Sequence, residues 1–169
     1  RKGHGRGRPD RAAAARAVEL VRAGRAQAIM KGSLHTDEVM SAIVARDTGL
    51  RTERRVSHIF VIDAPLYSKL MLVSDAAINI APDLVEKRDI VQNAIDLARA
   101  IGIARPKVAL LSAVETVTPK LASTVEAAAL CKMADRGQIV GGELDGPLAF
   151  DNAISRQAAE DKGIVSNVA

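Results

Sequence analysis

Strand-like and helix-like segments alternate along this chain of 169 residues, and this alternation restricts its fold more than any other feature. The apolar, β-branched run at residues 56–62 is typical of a strand that is buried on both faces. Asp83 and Glu86 form a D-x-x-E helix start, and apolar residues at helical spacing follow as far as Gly102. Strands and helices that alternate over short turns predict an α/β protein with three layers, α/β/α, and a mostly parallel sheet.

The other segments extend this pattern over the rest of the chain. The strand at residues 56–62 is joined to one at residues 70–73 by a connection that contains Pro65, and the two are predicted to pair antiparallel. Helices are predicted at residues 12–23, 36–48, 123–137 and 151–162, and further strands at residues 26–30, 107–112 and 139–144. A change to polar, arginine-rich composition at residue 51 predicts a domain boundary there.

The net charge of +4 is carried entirely by residues 1–11, which hold five basic side chains and one acidic one. Because these residues are also rich in glycine, they predict a flexible basic tail and not a nucleic-acid footprint on a folded face. Aromatic residues make up only 2% of the chain, so the predicted core consists of Ala, Val, Ile and Leu, and surfaces for stacking bases are lacking. We expect no nucleic-acid partner.

Two features of the sequence indicate the cellular compartment of the protein. No apolar run approaches the ~20 residues that a membrane span needs, and residues 1–11 lack the apolar stretch of a signal peptide. Cys131 is the only cysteine of the chain, which excludes a disulfide framework within it and favours a reducing compartment. We therefore expect a cytoplasmic protein that does not associate with membranes, in which Cys131 is a small core residue.

The first candidate site follows the predicted strand at residues 26–30, because ligands of open α/β sheets bind beyond the carboxyl ends of strands. Gly32 lets the backbone approach a ligand, and a helix begins nearby whose free N–H groups attract anions. The side chains around this helix start are Lys31, Ser33, His35 and Thr36. The pattern predicts a cradle for phosphate or an acyl phosphate, and the alternative is a plain strand-to-helix turn in which Thr36 is only an N-cap.

Two further groups are candidates of lower specificity. The basic link that contains Arg51, Arg54 and Arg55 fits either a grip on a ligand's phosphates or a solvated charged surface. Aspartates at predicted strand ends fit either oxygen ligands of Mg²⁺ or, more commonly, turn and capping roles. They are Asp63, Asp75 and Asp145.

Several common sites are not indicated by this sequence. The histidines His4, His35 and His58 are scattered, so no zinc site is predicted. No G-x-G-x-x-G follows a strand, no Walker A lysine loop exists and no G-x-S-x-G elbow occurs. Dinucleotide-binding, NTPase and hydrolase functions therefore lose their usual sequence support.

Four blocks of sequence occur in order along the chain: MKGSLHTD at residues 30–37, RVSHIFV at 55–61, SDAAIN at 74–79 and LDGPLAFDNA at 144–153. Together they resemble the phosphate acetyl/butyryltransferase family. The resemblance extends from about Ala12 to Ala169. The wording of the first and last blocks is most similar to the butyryltransferase-like branch, which includes versions fused behind an enoyl-CoA hydratase domain.

The resemblance implies a two-domain enzyme with a fold similar to isocitrate and isopropylmalate dehydrogenases, which usually forms homodimers. By this likeness, residues 12–50 are the late part of the first α/β domain and residues 51–169 most of the second, without its C-terminal section. The chain is accordingly expected to be a fragment, with the catalytic base beyond Ala169.

The implied reaction is reversible transfer of a short acyl group, acetyl or butyryl, between coenzyme A and inorganic phosphate, with an acyl phosphate as product and no cofactor or metal. In this scheme Ser33, His35 and Thr36 position the phosphate or the acyl oxygen. Lys31 adds charge, and the facing wall is formed by Asp75, Asn79 and Asp145. The main alternative is a catalytically silent, regulatory acyl-CoA-binding module of the same fold. A metal-dependent dehydrogenase of this fold is disfavoured because its substrate-binding arginine pattern is not recognisable.

Overall fold

The computed structural model describes residues 7–169. Residues 1–6, the larger part of the predicted basic tail, lie outside the described residues. Helix α1 spans Gly7–Arg22 and thus begins five residues before the predicted start at residue 12. The expected tail is therefore helical from residue 7 onward. Asp10 in the first turn favours the early start, because a carboxylate interacts favourably with a helix N-terminus.

The chain divides into two compact units, Arg1–Arg54 and Arg55–Ala169. In the first unit α1 packs against α2 (Thr36–Ile43), and the buried side chains between them are Ala14, Val18 and Val39. The strand predicted at residues 26–30 is wrong: the segment is irregular, and Met30 is 96% exposed. Its backbone has no strand to pair with in the described part of this unit, so an isolated extended segment gains nothing from β geometry.

The second unit begins with a two-stranded antiparallel sheet. Strand β1 (Phe60–Ile62) pairs with β2 (Met71–Val73), with Phe60 opposite Val73, so the antiparallel prediction is confirmed. The predicted burial on both faces is wrong, because Phe60 and Val61 are each about half exposed. A two-stranded ribbon gives each strand one neighbour only, which cannot cover a seven-residue apolar run.

The other sheet is parallel. Strand β3 (Lys107–Leu111) pairs with β4 (Glu143–Leu148), which begins four residues later than predicted. Gly146 explains how β4 extends beyond residue 144: its φ is +155°, and a Cβ there would lie 2.6 Å from the carbonyl oxygen of Leu110. Only glycine allows this close approach, so the residue that sequence patterns treat as a turn signal lies inside the strand.

Four helices complete the second unit. Helix α3 (Leu84–Ala100) begins with a capping box between Asp83 and Glu86, as predicted. Helix α4 (Ala122–Asp135) begins one residue before the predicted start at residue 123 and has Leu121 at its N-cap. The Oγ atom of Ser123 lies 2.7 Å from that of Ser112 and forms a hydrogen bond with it. The single helix predicted at residues 151–162 is divided at Ser155 into α5 (Phe150–Ile154) and α6 (Arg156–Asp161).

The core of the second unit is aliphatic, as the composition predicts. Its buried members come from α3, β3, α4 and the segment before β4: Val91, Ile95, Leu110, Ala127, Leu130 and Ile139. The mixed α/β class is confirmed, but the described strands form two separate two-stranded sheets and not one mostly parallel sheet. Among the described residues, no helix has both the length and the apolar character needed to cross a membrane.

Candidate functional site

The loop at residues 31–36 leads into α2 with its polar side chains exposed. His35 occupies the N-cap position, its side chain makes no capping hydrogen bond, and Thr36 is the first helical residue. Thr36 is therefore not the N-cap residue of α2, contrary to the expectation for a plain turn, whose other features are unaffected. Gly32, Ser33, His35 and Thr36 are all exposed, and the space beside the Gly32 Cα is open. The first N–H groups of α2 thus have no side-chain cap, which is the arrangement that an anion can use.

The charges near this loop do not all favour an anion. The Lys31 ammonium donates to the carbonyl oxygens of Leu34 at 3.0 Å and Gly32 at 3.3 Å, so it stabilises the loop's own backbone. Asp37 and Glu38 lie in the first turn of α2, where they interact favourably with the helix dipole but repel a bound anion. The groups of this loop that could contact an anion are therefore the uncapped N–H groups of α2 and the exposed side chains of Ser33 and His35.

Asp75 organises the loop after β2. Its Oδ1 accepts hydrogen bonds from the backbone N–H groups of Ala77 at 2.9 Å and Ile78 at 3.0 Å. Its Oδ2 accepts from the backbone N–H of His58 at 3.1 Å and from Nδ2 of Asn79 at 2.6 Å. Desolvation by burial raises the pKa of Asp75, but these four hydrogen bonds outweigh it and lower the pKa to about 2. Asp75 is therefore ionised at neutral pH and its oxygens are occupied by the protein.

Asn79 connects Asp75 to Arg55. The Nδ2 of Asn79 also donates to the carbonyl oxygen of Val56 at 3.0 Å, and its Oδ1 accepts from Nε of Arg55 at 2.7 Å. Nη1 of Arg55 forms an ion pair with Oε1 of Glu86 at 3.0 Å. Three residues that the sequence nominates separately, Arg55, Asp75 and Asn79, thus form one connected cluster in the second unit.

The remaining nominated residues lie elsewhere. Arg54 ends the first unit, and its backbone N–H donates to Oγ1 of Thr52 at 3.2 Å. Asp145 lies inside β4, opposite Ala109, so its predicted position after a strand is wrong. Its Oδ1 accepts from the backbone N–H of Gly146 at 2.8 Å. Among the described residues, no group of three or more His, Cys, Asp or Glu side chains is arranged to hold a metal ion.

Cys131 packs against the aliphatic core of the second unit and is about half-buried. Its Sγ lies 3.8 Å from the carbonyl oxygen of Gly146. Burial, together with the negative charges of Asp145 and Asp135, raises the pKa of Cys131 to about 11. The thiol is therefore protonated at neutral pH, which makes it a poor nucleophile.

Sequence reasoning missed the residues of α3 that surround Arg55. Asp89, only 6% exposed, accepts from the Arg55 backbone N–H at 2.9 Å, and Nδ2 of Asn93 donates to the Arg55 carbonyl oxygen at 2.8 Å. With Glu86 they form a polar stripe at helical spacing along one face of α3. The helical spacing of these three polar residues can be read from the sequence, but the sequence does not show that they contact Arg55.

A second polar network that the sequence does not nominate follows the carboxyl ends of β3 and β4. The side chain of Asn152 is fully buried and its Nδ2 donates to Oε1 of Glu115. Lys162 forms ion pairs with Glu115 at 3.3 Å and with Asp151 at 3.0 Å. Because the Lys162 ammonium already satisfies both carboxylates, this network ties α5 and α6 to the loop after β3.

Comparison with known proteins places these features in a family context. The family model described as "Phosphate acetyl/butaryl transferase" matches residues 8–169. The chain is 66% identical to phosphate acetyltransferase of Rhizobium meliloti over 94% of its own length and 50% of that protein's. It is 46% identical to phosphate butyryltransferase of Clostridium acetobutylicum over 93% of its own length and 52% of that protein's. The chain thus spans about half the length of these curated relatives.

A solved structure with a similar fold also carries the name of an enzyme that transfers acyl groups. A branched-chain phosphotransacylase from Enterococcus faecalis V583 is 33% identical, with a TM-score of 0.81 over 92% of this chain and 55% of that one. The identity is higher to the acetyltransferase than to the butyryltransferase, although two sequence blocks resemble the butyryltransferase-like branch. All of these names are names of transferases, which does not favour the regulatory alternative.

Proposed function

Since this chain belongs to the phosphate acetyl/butyryl transferase family, we propose that the protein catalyses reversible transfer of a short acyl group between coenzyme A and inorganic phosphate. The observation that carries this proposal is the 66% identity, over 94% of the chain, to a protein named phosphate acetyltransferase. The proposed transferred group is acetyl or butyryl, and coenzyme A acts as a substrate and not as a resident cofactor.

The proposed reaction needs no covalent enzyme intermediate. In the direction of acyl-CoA synthesis, a general base takes the thiol proton, and the thiolate of coenzyme A attacks the carbonyl carbon of the acyl phosphate. A C–S bond forms, and the bond between the acyl carbon and the oxygen that bridges it to phosphorus breaks. Inorganic phosphate leaves with the electrons of that bond. The protein must therefore align the two substrates and stabilise the developing oxyanion and the phosphate charge.

The loop at residues 31–36 is the proposed phosphate-end anchor. The uncapped start of α2 and the exposed side chains of Ser33 and His35 support this role. Gly32 and Thr36 supply backbone that a ligand can approach, and Lys31 shapes the loop through its bonds to backbone carbonyls. Arg54 and Arg55 are proposed to interact with phosphoryl groups, while the proposed wall residues are Asp75, Asn79 and Asp145.

Several wider features belong to the same proposal. We propose α/β/α domains like those of isocitrate dehydrogenase, with residues 12–50 and 51–169 contributing to successive domains. A homodimer is proposed because apolar side chains such as Phe60, Val61 and Leu70 are about half exposed in the second unit. A cytoplasmic location without nucleic-acid or membrane partners is proposed on the basis of the single cysteine and the scarcity of aromatic residues.

Release of coenzyme A by the intact protein tests the proposed reaction. Acetyl-, propionyl- and butyryl-CoA are each incubated with inorganic phosphate in the presence of EDTA, and free thiol is measured. Phosphate-dependent thiol release with at least one substrate is expected. Absence of release with all three, by protein that binds coenzyme A and melts cooperatively, would contradict the transferase proposal.

A further inference from the structure

We infer that Arg55 binds a phosphoryl group of the substrates, and that Asn79 and Glu86 are positioning residues that orient its guanidinium. The inference rests on the proposed function, because phosphate and coenzyme A are the substrates that carry phosphoryl oxygens. The structural observation behind it is that Arg55, although half exposed, is held by hydrogen bonds to both its backbone and its side chain.

The backbone of Arg55 is attached to α3 on both sides of the residue. Its N–H donates to Oδ2 of Asp89 at 2.9 Å, and its carbonyl oxygen accepts from Nδ2 of Asn93 at 2.8 Å. Asp89 and Asn93 are four positions apart and so project from one face of α3. The Cα of Arg55 is thereby held against a rigid element.

The side chain of Arg55 is directed by two partners that are themselves immobilised. Asn79 accepts from its Nε at 2.7 Å, and Asn79 is fixed in turn by its hydrogen bond to Asp75 at 2.6 Å. Glu86 pairs with its Nη1 through one carboxylate oxygen, while the other oxygen accepts from the backbone N–H of Asp83 in the capping box of α3. The guanidinium therefore has a defined orientation despite its exposure.

The remaining donors of this guanidinium are available to a ligand. A guanidinium carries five N–H donors, and within residues 7–169 neither N–H of Nη2 has an acceptor. The side chain is 51% exposed. The two terminal nitrogens of arginine match the spacing of two phosphoryl oxygens, which makes a pre-oriented arginine a favourable phosphate ligand. In this arrangement Asp75 acts two steps from the ligand, through Asn79.

The competing explanation is that Arg55 only joins residues 55–58 to α3. The two explanations differ in what they predict for folded variants. If Arg55 is only a structural clamp, its substitution lowers the melting temperature and leaves the Michaelis constants unchanged. If Arg55 is a positioned ligand residue, its substitution raises one Michaelis constant. Substitution of the partner that orients the guanidinium then raises the same constant.

The test uses the intact protein with Arg55→Lys, Asn79→Ala and the double variant. Michaelis constants are measured for inorganic phosphate, for acetyl-CoA and for acetyl-dephospho-CoA. Each single variant is expected to raise at least one constant about tenfold, because lysine lacks the planar pair of donors and Asn79→Ala removes the acceptor at Nε. The double variant is expected to raise it no further than Arg55→Lys does. Arg105→Lys is the matched control, since Arg105 pairs with Glu143 and is 82% exposed.

The pattern of constants identifies the phosphoryl group. A rise for phosphate alone indicates the inorganic co-substrate. A rise for acetyl-CoA but not for acetyl-dephospho-CoA indicates the 3′-phosphate, and a rise for both indicates the pyrophosphate. Titration calorimetry with coenzyme A and with inorganic phosphate gives a readout that does not need turnover: wild-type binding is expected to weaken about tenfold in Arg55→Lys for the ligand concerned.

Binding without turnover in the wild type would contradict the proposed reaction while leaving the calorimetric comparison decisive for Arg55. If folded Arg55→Lys and Asn79→Ala retain wild-type binding of both ligands, and wild-type Michaelis constants wherever turnover is measurable, Arg55 is a structural clamp and the inference is wrong.

Discussion

Nδ2 of Asn79 lies 2.6 Å from Oδ2 of Asp75 within the loop after β2, and the same nitrogen also donates to the carbonyl oxygen of Val56 in the segment that precedes β1. Asp75 thereby completes a set of four hydrogen bonds that leaves its carboxylate without a free oxygen for a substrate. Asp75 thus holds Asn79, which in turn accepts from the Arg55 side chain. This relationship also makes the stability of the loop dependent on pH.

Asp75→Asn is expected to destabilise the protein by about 2 kcal/mol at neutral pH, because an amide nitrogen replaces an oxygen that accepts from two donors. The pKa of Asp75 is lowered from 3.8 to about 2 in the folded state. The stabilisation by the carboxylate is therefore present above pH 3.8 and is lost as the pH falls towards 2. Urea unfolding at pH 6 and pH 3 measures this, and the difference between wild type and variant should shrink at the lower pH. A difference that is constant between the two pH values would contradict the assignment.

Much of this cluster could be predicted from the sequence, but only in pieces. Arg55, Asp75 and Asn79 are each nominated by position or by resemblance. Their connection was not predictable, because the hydrogen bond between Arg55 and Asn79 joins residues 24 positions apart. Features that depend on neighbouring residues were predicted more accurately. The capping box of α3 needs only four consecutive residues, and the structure confirms it.

Burial could not be predicted in the same way. The apolar run at residues 56–62 has the composition of a doubly covered strand, but burial depends on what other elements supply as cover. In the described residues β1 has β2 as its only paired neighbour, so Phe60 and Val61 stay about half exposed. Similarly, the limits of β4 depend on the close approach of Gly146 to Leu110, which lies 36 positions earlier in the chain.

Gly146→Ala is expected to be strongly destabilising. The added Cβ would lie 2.6 Å from the carbonyl oxygen and 2.7 Å from the Cβ of Leu110, both in the core-facing strand β3. We expect a loss of about 3 kcal/mol from the combined steric overlap and positive φ. Gly163→Ala is the matched control, since its φ is +69° and nothing lies within 4 Å of its Cβ position; it should cost about 1 kcal/mol. Equal losses of stability in the two variants would contradict the close approach.

Cys131 is expected to react slowly with iodoacetamide. Its pKa of about 11 lies two units above the ordinary value of 9.0, which reduces the thiolate fraction near pH 8 about a hundredfold. The alkylated Cys131 peptide, quantified by mass spectrometry, should therefore accumulate at least a hundredfold more slowly than in protein unfolded with guanidinium chloride. Its rate should rise about tenfold per pH unit while the protein stays folded. Rapid alkylation of the folded protein at pH 7 would contradict both the burial of the thiol and the effect of the Asp135 and Asp145 carboxylates on its pKa.

The last prediction concerns the loop at residues 31–36 and its proposed role as the phosphate-end anchor. Ser33→Ala and His35→Ala in the intact protein are expected to raise the Michaelis constant for phosphate more than that for acyl-CoA. Loss of one hydrogen bond to a charged ligand costs about 1.5–3 kcal/mol, so the rise should be about tenfold or more for either residue that touches phosphate. Ser41→Ala is a matched control, because the Ser41 hydroxyl donates to the carbonyl oxygen of Asp37 within α2 and lies away from the N-cap. If the loop is only a turn, both site variants will melt at lower temperature with unchanged constants. Changes smaller than about twofold in folded Ser33→Ala and His35→Ala would remove the anchor from this loop and leave Arg55 as the principal phosphoryl ligand of the described residues.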